Sequence, residues 1–323
     1  MISRELVLPS NATVLPSRHA ATVRLEALSV AIHGRSFPDR AVDEDLVPSY
    51  PEPLPGYFNI GLLHTSLGGR PGHDRYAPTD VATLSAKGYD YWALGHVHRR
   101  ELVCEAPRIV FPGNLQGRHA NETGPKGCEL VSVVSGRIDA EFVALDVVRW
   151  NQLAIDLAGV DELTALGPRF RAALAPLLSG AADRLHALRV RLTGTTALHA
   201  AEAARPGTLD AAVRAAAQDV AEAELWIEQV RLDLHTPLDR TQAAQRQDAV
   251  GELIRLADRI GADPSALRTL VDSELGALLK ALPPEVAVDA IPQLAEPGEL
   301  LGLLRDAEAT VLARLAATGD VTG

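Results

Sequence analysis

The first 150 residues alternate apolar and polar positions in short runs that turn-forming residues separate. Two of these runs, 12–16 and 22–34, alternate with the period of two that predicts β-strands. Segment 36–47 fits a short helix, because Ser36 stands where a serine caps the first turn. The segment 49–57 is rich in proline and predicts a loop.

Two apolar runs follow that are typical of buried central strands, NIGLLH at 59–64 and YDYWALGH at 89–96. Between them, segment 78–88 predicts a helix that ends at Gly88. This strand, helix, strand order predicts a parallel pair in an α/β layer structure. Open sheets of this kind place their functional sites at the carboxyl ends of the strands.

We expect segment 109–114 and the hairpin 128–145, which turns at Ser135 and Gly136, to complete a second sheet. The composition shifts after Trp150, where three strand-like runs separated by alanine-rich stretches predict a small β-α-β-α-β module. The three runs are 152–159, 187–196 and 225–235. From Thr241 onward the apolar residues take helical spacing. The predicted domains are 1–149, 150–238 and 239–323.

The candidate chemistry is a group of three histidines at predicted strand ends, namely His64, His96 and His98. Neutral imidazole is a common ligand of divalent transition metals, and a His-x-His pair that leaves a strand can offer two nitrogens to one point. Gly95 removes a side chain where backbone and metal must approach closely. A single histidine after an apolar run is more often structural. The grouping of three favours half of a metal site.

Composition and charge narrow the class of protein. The net charge of −11 argues against a protein that coats nucleic acid through a basic surface. The sequence has no apolar run of the length that spans a bilayer, no signal-peptide pattern at its start, and only two cysteines. We therefore expect a cytoplasmic protein without a membrane partner. Basic residues nevertheless cluster near the histidines in the sequence and predict a local phosphate-binding surface. These residues are Arg99, Arg100, Arg118 and Lys126, together with His119.

The motifs LLHT and GHVH resemble the last two metal motifs of the calcineurin-like metallophosphoesterases. The segments IHGRSF, GHDRYAP, KGYDYWALGHVHRRE and FPGNLQGRHANETGPKG resemble the branch of that family that contains DNA repair exonucleases. The resemblance is specific to about Asp146 and weaker through Asp233. It implies an α/β fold in which a two-sheet αββα sandwich is followed by a small α/β cap and a helical C-terminal region.

The resemblance also implies function. His64 and His96 would bind one manganese ion and His98 a second, in a two-metal site that hydrolyses phosphodiesters of DNA. It further implies an SMC-like ATPase as partner, and a homodimer is left open. Two alternatives to a DNA exonuclease remain: a small-molecule phosphoesterase, and a non-catalytic scaffold that binds a partner.

Several polar residues near the histidines have two interpretations. The side chains of Asn114, Gln116, Arg118 and His119 either contact the substrate or satisfy the backbone of a local turn. His33 and Arg35 lie at a strand end and face either the groove or the entry to a helix. Arg99 is expected to contact substrate.

The family's other three motifs, Asp-x-His, Gly-Asp and Gly-Asn-His-Asp or Gly-Asn-His-Glu, do not occur before His64. They would supply the bridging aspartate and the proton donor, so no catalytic residue is identified in this chain. We therefore expect a front portion of the fold to be absent, either through a misplaced start codon or in a short product that has lost its chemistry. The misplaced start is favoured, because Met1 is the only methionine. We expect weak metal binding and little or no hydrolysis.

Overall fold

The protein forms two compact units, Met1–Trp150 and Asn151–Gly323. The computed structural model describes residues 8–37, 39, 42–68, 76–181, 183–281 and 297–317. Mixed sheets and helices confirm the predicted α/β class with a helical C-terminal region. The division into three domains stays a prediction.

A six-stranded sheet dominates the first unit, in the order β1-β2-β3-β4-β6-β5. Its strands are β1 (Ala21–Leu25), β2 (Val30–Gly34), β3 (Phe58–His64), β4 (Tyr91–Gly95), β5 (Glu101–Cys104) and β6 (Arg108–Phe111). The four central strands run parallel, whereas β1 and β5 pair antiparallel at the two edges. The predicted parallel pair of buried strands, β3 and β4, is therefore confirmed.

The helix α1 (Val81–Ala86) connects β3 to β4 and packs on the core. It begins after Asp80, whose side chain accepts a hydrogen bond from the Thr83 amide at 2.7 Å. The chain leaves the helix through Gly88, which has a positive φ of 79°. The fully buried Trp92 of β4 donates its indole hydrogen to the Leu84 carbonyl at 3.1 Å. This bond ties the helix to the strand that carries the candidate histidines.

In the amino-terminal region, the predictions for segments 12–16 and 36–47 are wrong, and the strand prediction for 22–34 is confirmed for most of its length. Segment 12–16 forms no strand, and 22–34 is an antiparallel pair broken by the turn Glu26–Leu28, because Ser29 takes a left-handed φ of 51°. The described part of 36–47 is irregular up to a short 3₁₀ turn at Val47–Ser49, and residues 38, 40 and 41 lie outside the described residues.

The acidic side chain of Asp45 gives a physical reason for the missing helix. One of its oxygens accepts from the Val47 amide at 2.9 Å, and the other accepts from the Thr79 hydroxyl at 3.0 Å. Such local bonds from an aspartate compete with the helical pattern.

The predicted second sheet is partly wrong. Segment 109–114 begins with β6, which pairs parallel to β4 in the first sheet, as its fully buried residues Ile109, Val110 and Phe111 would favour. In the part of the chain that the structure describes, β7 (Gly127–Val134) and β8 (Arg137–Ala144) form a separate two-stranded sheet. Their turn at Ser135 and Gly136 is confirmed, and both residues have the positive φ that a type I′ turn requires.

The second unit contains the predicted alternation of strands and helices, except that two helices, instead of one, separate the last two strands. Its three-stranded sheet has the order β11-β10-β9, with β10 in the centre. The strands are β9 (Val148–Asp156), β10 (Leu185–Thr195) and β11 (Glu224–His235), and the helices are α2 (Leu166–Leu178), α3 (Leu198–Ala204) and α4 (Thr208–Gln218). The core forms around β10, where Leu188, Val190 and Leu192 are fully buried.

Helices complete this unit, as the apolar spacing beyond Thr241 predicts. They are α5 (Arg240–Ala243), α6 (Ala249–Gly261), α7 (Pro264–Ala281) and α8 (Pro297–Ala317). Arg240 connects two of them, because its guanidinium contacts Asp258 of α6 at 2.7 Å and Glu308 of α8 at 2.9 Å. Among the helices that the structure describes, none is both long enough and apolar enough to cross a membrane.

Candidate metal centre

Two neighbouring parallel strands carry His64 and His96 to the same edge of the sheet. His64 is the last residue of β3 and lies opposite Gly95, the last residue of β4. The Thr65 amide donates to the Gly95 carbonyl at 3.1 Å, so the strands stay paired to their ends. His96 is the next residue after β4. The carboxyl ends of the strands therefore place two imidazoles side by side, as the sequence predicts.

The two imidazoles contact each other directly. His96 Nδ1 lies 3.3 Å from His64 Nε2, and the ring centroids are 5.2 Å apart with the planes nearly perpendicular. His96 has a backbone φ of 105°, a value that residues other than glycine rarely adopt. Backbone strain of this kind is often found at functional sites.

Gly95 supports the pair for a reason that differs from the predicted one. A Cβ atom at this position would lie 2.9 Å from Nδ1 of His64. The space that glycine provides is thus occupied by the neighbouring imidazole ring. The absence of a side chain at position 95 allows His64 to lie against β4.

Aromatic side chains border the pair. Tyr76 stacks on the ring of His96 with 5.6 Å between centroids, and both Tyr76 and Phe37 meet the ring of His64 edge-on, at 5.3 and 5.8 Å. Burial lowers the pKa of His64 below its ordinary value, and the charges of His96 and His98 lower it further. The neutral form of His64, which is the metal-binding form, is therefore favoured.

The spacing of the two nitrogens fits a shared metal ion. Imidazole nitrogens bind divalent transition metals at about 2.1 Å, so two of them on one ion lie about 3.0 to 3.4 Å apart, depending on the coordination angle. The observed 3.3 Å falls in this range. Within the parts of the chain that the structure describes, no group of three or more histidine, cysteine, aspartate or glutamate side chains is arranged to hold a metal. The His64–His96 pair is thus a partial donor set.

His98 lies two residues beyond His96, and its ring contacts a carboxylate. Its Nδ1 is 2.6 Å from Oε1 of Glu122, whose side chain is only 7% exposed. Burial by itself would raise the pKa of Glu122. The hydrogen bonds from the Arg118 amide and from the His98 ring outweigh that effect, so the pKa lies below its ordinary value and the carboxylate is ionised near neutral pH.

The loop between β6 and β7 holds four predicted substrate residues, and the structure gives them different surroundings. Gln116 satisfies backbone groups: its amide nitrogen donates to the Gly117 and Val148 carbonyls, and its oxygen accepts from the amides of Val147 and Val148. This arrangement matches the turn interpretation for Gln116.

Of the other three residues of this loop, Asn114 is half-buried like Gln116, whereas Arg118 and His119 are exposed. The Asn114 backbone donates to the His98 carbonyl at 3.3 Å and accepts from the Gly127 amide at 2.9 Å. The side chains of Arg118 and His119 are 68% and 58% exposed. Their polar groups lie 3.8 and 3.7 Å from Glu122, so both border the carboxylate that contacts His98.

The remaining predicted substrate residues are dispersed. His33 is fully buried, its ring nitrogens contact Thr22 and Asn59 at 2.9 and 3.0 Å, and it stacks on Tyr89. Its position fits a structural role within the sheet. Arg35 donates to the Ser17 carbonyl at 2.8 Å. Arg99 is exposed beyond His98.

The interpretation of the sequence did not single out Tyr76 or Glu122. Tyr76 stands in the quoted segment GHDRYAP, and Glu122 stands in the quoted segment FPGNLQGRHANETGPKG. The sequence signal for Glu122 is that it is an acidic residue in a segment otherwise rich in basic and polar residues. Glu122 follows His98 by 24 positions along the chain, so no local sequence pattern predicts their contact.

Two comparisons with known proteins found similarities. Residues 150–235 match the family model described as metallophosphoesterase YhaO, middle domain. The chain is also 37% identical over 207 residues to the uncharacterized metallophosphoesterase YhaO of Bacillus subtilis (strain 168). That match covers 64% of this chain and 50% of the relative, so the chain spans about half the length of the relative. Both matches are similarities to proteins described as metallophosphoesterases.

Proposed function

We propose that the strand-end histidines are part of the metal site of a phosphodiesterase that acts on DNA. The observation that carries the proposal is the 3.3 Å separation of His96 Nδ1 and His64 Nε2 at the carboxyl ends of adjacent parallel strands. The similarity to metallophosphoesterases supports metal-dependent phosphoester hydrolysis as the reaction class.

Each histidine has a distinct part in this proposal. His64 and His96 would hold one divalent ion, and His98 would hold a second. Bound divalent ions supply Lewis acidity and charge neutralisation for attack on a phosphodiester. Tyr76 packs against both rings of the His64–His96 pair. The lowered pKa of His64 favours the neutral form that binds metal.

DNA as substrate and manganese as metal rest on the resemblance of the GHVH and FPGNLQGRHANETGPKG segments to DNA repair exonucleases. The exposed cations Arg99 and Arg118 support the proposal, since they supply local positive charge beside the exposed His119 in a chain whose net charge is −11. Such charges act over about a Debye length, ~8 Å at physiological salt. An SMC-like ATPase is the proposed partner on the same resemblance.

The test measures manganese-dependent binding of DNA, because three motifs of the family do not occur before His64 and hydrolysis is expected near background. Fluorescence anisotropy of a labelled 5′-phosphorylated oligonucleotide is recorded with and without Mn²⁺, for the native chain and for His96→Ala. We expect Mn²⁺ to tighten binding to the native chain and to have a much smaller effect on the variant.

The same assay separates DNA from small substrates. A nucleoside monophosphate that competes as well as the unlabelled oligonucleotide, at equal phosphate concentration, would favour the small-molecule phosphoesterase. An equal Mn²⁺ effect in the native chain and His96→Ala would contradict the proposed site. Turnover of bis-p-nitrophenyl phosphate is measured in parallel as a check on the expected low activity.

A further inference from the structure

Glu122 is a buried carboxylate beside a candidate metal ligand. Its Oε1 lies 2.6 Å from Nδ1 of His98, and its other oxygen accepts from the Arg118 amide at 2.8 Å. An ionised carboxylate can only accept hydrogen bonds, so the hydrogen in the contact with His98 must reside on Nδ1 of the ring. In the neutral imidazole, the lone pair then belongs to Nε2.

The loop that carries Glu122 is itself fixed in place. The Glu122 amide donates to the His119 carbonyl at 2.9 Å, which closes a tight turn around the carboxylate. A Cβ atom on Gly117 would lie 2.9 Å from both the Glu122 carbonyl and the Trp150 ring. The Trp150 indole donates to the Gly117 carbonyl at 3.0 Å. The carboxylate is therefore held by a close-packed turn.

The same loop also holds the backbone of His98. The His98 carbonyl accepts from the Asn114 amide and from Nζ of Lys126, both at 3.3 Å. A Cβ atom on Gly113 would lie 3.0 Å from that carbonyl oxygen. The ring and the carbonyl of His98 are thus both fixed by the segment between β6 and β7.

We infer that Glu122 is a positioning residue that fixes His98 as the Nδ1–H tautomer and presents Nε2 for metal coordination. The inference rests on the proposed function, because it assigns His98 to a metal. Carboxylates that accept from the far nitrogen of a metal-binding histidine fix its orientation and raise its basicity, and their loss typically weakens metal binding by about 10- to 100-fold. The segment between β6 and β7 then serves to hold a ligand as well as to border the substrate.

The first experiment needs no metal. Long-range ¹H–¹⁵N NMR correlations of the imidazole rings report which nitrogen carries the hydrogen, and His98 is assigned by its absence in His98→Gln. We expect the Nδ1–H tautomer in the native chain and a shift toward Nε2–H in Glu122→Ala. An Nε2–H tautomer in the native chain, or an unchanged tautomer in Glu122→Ala, would overturn the inference.

The second experiment titrates Co²⁺ into the same proteins by calorimetry. We expect Glu122→Ala to bind about 10- to 100-fold more weakly than the native chain, and Glu122→Gln to recover part of the loss, because its amide oxygen still accepts from Nδ1. Equal Co²⁺ affinity in the native chain and Glu122→Ala would overturn a role toward the metal.

A matched control separates positioning from general damage. Glu129 is another buried carboxylate of the first unit, and it pairs with Arg100 and Arg108. Glu129→Gln is expected to change neither the His98 tautomer nor Co²⁺ affinity, even if it lowers stability. The two experiments can also give different answers. If Glu122→Ala changes an Nδ1–H tautomer of the native chain but the native chain binds no Co²⁺, the proposed function fails. The orientation of His98 by Glu122 then still holds.

Discussion

Gly95 gives His64 the space that its ring occupies, and this makes the site sensitive to one methyl group. We predict that Gly95→Ala weakens Co²⁺ binding by at least about tenfold, which is about 1.4 kcal/mol. The reason is that the added Cβ would lie 2.9 Å from Nδ1 of His64 and would move the ring away from His96. Calorimetric titration measures the change.

Gly276→Ala is the control for that substitution, because nothing lies within 4 Å of a Cβ at this helical position. It should leave Co²⁺ affinity unchanged. Native affinity in Gly95→Ala would show that the ring of His64 is not constrained by β4.

His33 predicts a dependence of stability on pH. Burial lowers its pKa and the charge of Lys87 adds to this, against the opposing hydrogen bond to Asn59. Below pH of about 6.5 the unfolded chain therefore binds a proton that the folded chain does not, and the free energy of unfolding falls as pH falls. Above that pH both states are neutral and the effect vanishes.

The measurement compares urea unfolding of the native chain and His33→Gln at about pH 7.5 and about pH 5.5. We expect the native chain to lose more unfolding free energy on acidification than the variant does. A pH dependence that is the same in both proteins would contradict the assignment of a neutral, buried imidazole.

At the scale of single residues, the sequence predicts those site residues whose positions depend on their neighbours along the chain. The spacing of His96 and His98 after an apolar run predicts two imidazoles at a strand end, and the order of strands adds His64. It does not distinguish His33, which also follows an apolar run but is buried on the sheet. The partner of His98 depends on a loop closure that no short pattern encodes.

At the scale of secondary-structure elements, β3 and β4 pack closely at Gly61. A Cβ atom on this residue would lie 2.3 Å from the ring of Trp92. Overpacking of this kind usually costs about 1–3 kcal/mol, and the buried indole has little room to move. We predict that Gly61→Ala lowers the free energy of unfolding by about 2 kcal/mol or more. Urea unfolding followed by tryptophan fluorescence measures it.

A comparison with Gly276→Ala tests whether the cost comes from packing. Alanine is favoured over glycine inside a helix by about 0.5–1 kcal/mol, so this control should be neutral or slightly stabilising. Native stability in Gly61→Ala would mean that Trp92 can repack without loss.

The sequence predicts elements best where one signal dominates. The runs 59–64 and 89–96 are almost continuously apolar, and both are central strands. Segment 109–114 was assigned to the wrong sheet, because the same apolar pattern suits any buried strand and pairing partners are not local. Segment 36–47 failed as a helix where the Asp45 side chain bonds to nearby groups.

At the scale of the whole molecule, the matched family model and the candidate site fall in different units. The match to the metallophosphoesterase YhaO middle domain covers residues 150–235, whereas the histidine pair belongs to the unit Met1–Trp150. Similarity in the second unit therefore does not test the site. The metal-binding claim depends on the geometry of His64 and His96.

Direct titration of Co²⁺ and Mn²⁺ into the purified chain tests that claim most directly. Calorimetry is performed on the native protein, on His64→Ala and His96→Ala, and on His235→Ala as an exposed histidine of the other unit. We predict that both site variants lose the binding seen in the native chain, whereas His235→Ala retains it, with Co²⁺ bound more tightly than Mn²⁺. Metal binding that is unchanged in both His64→Ala and His96→Ala would contradict the account.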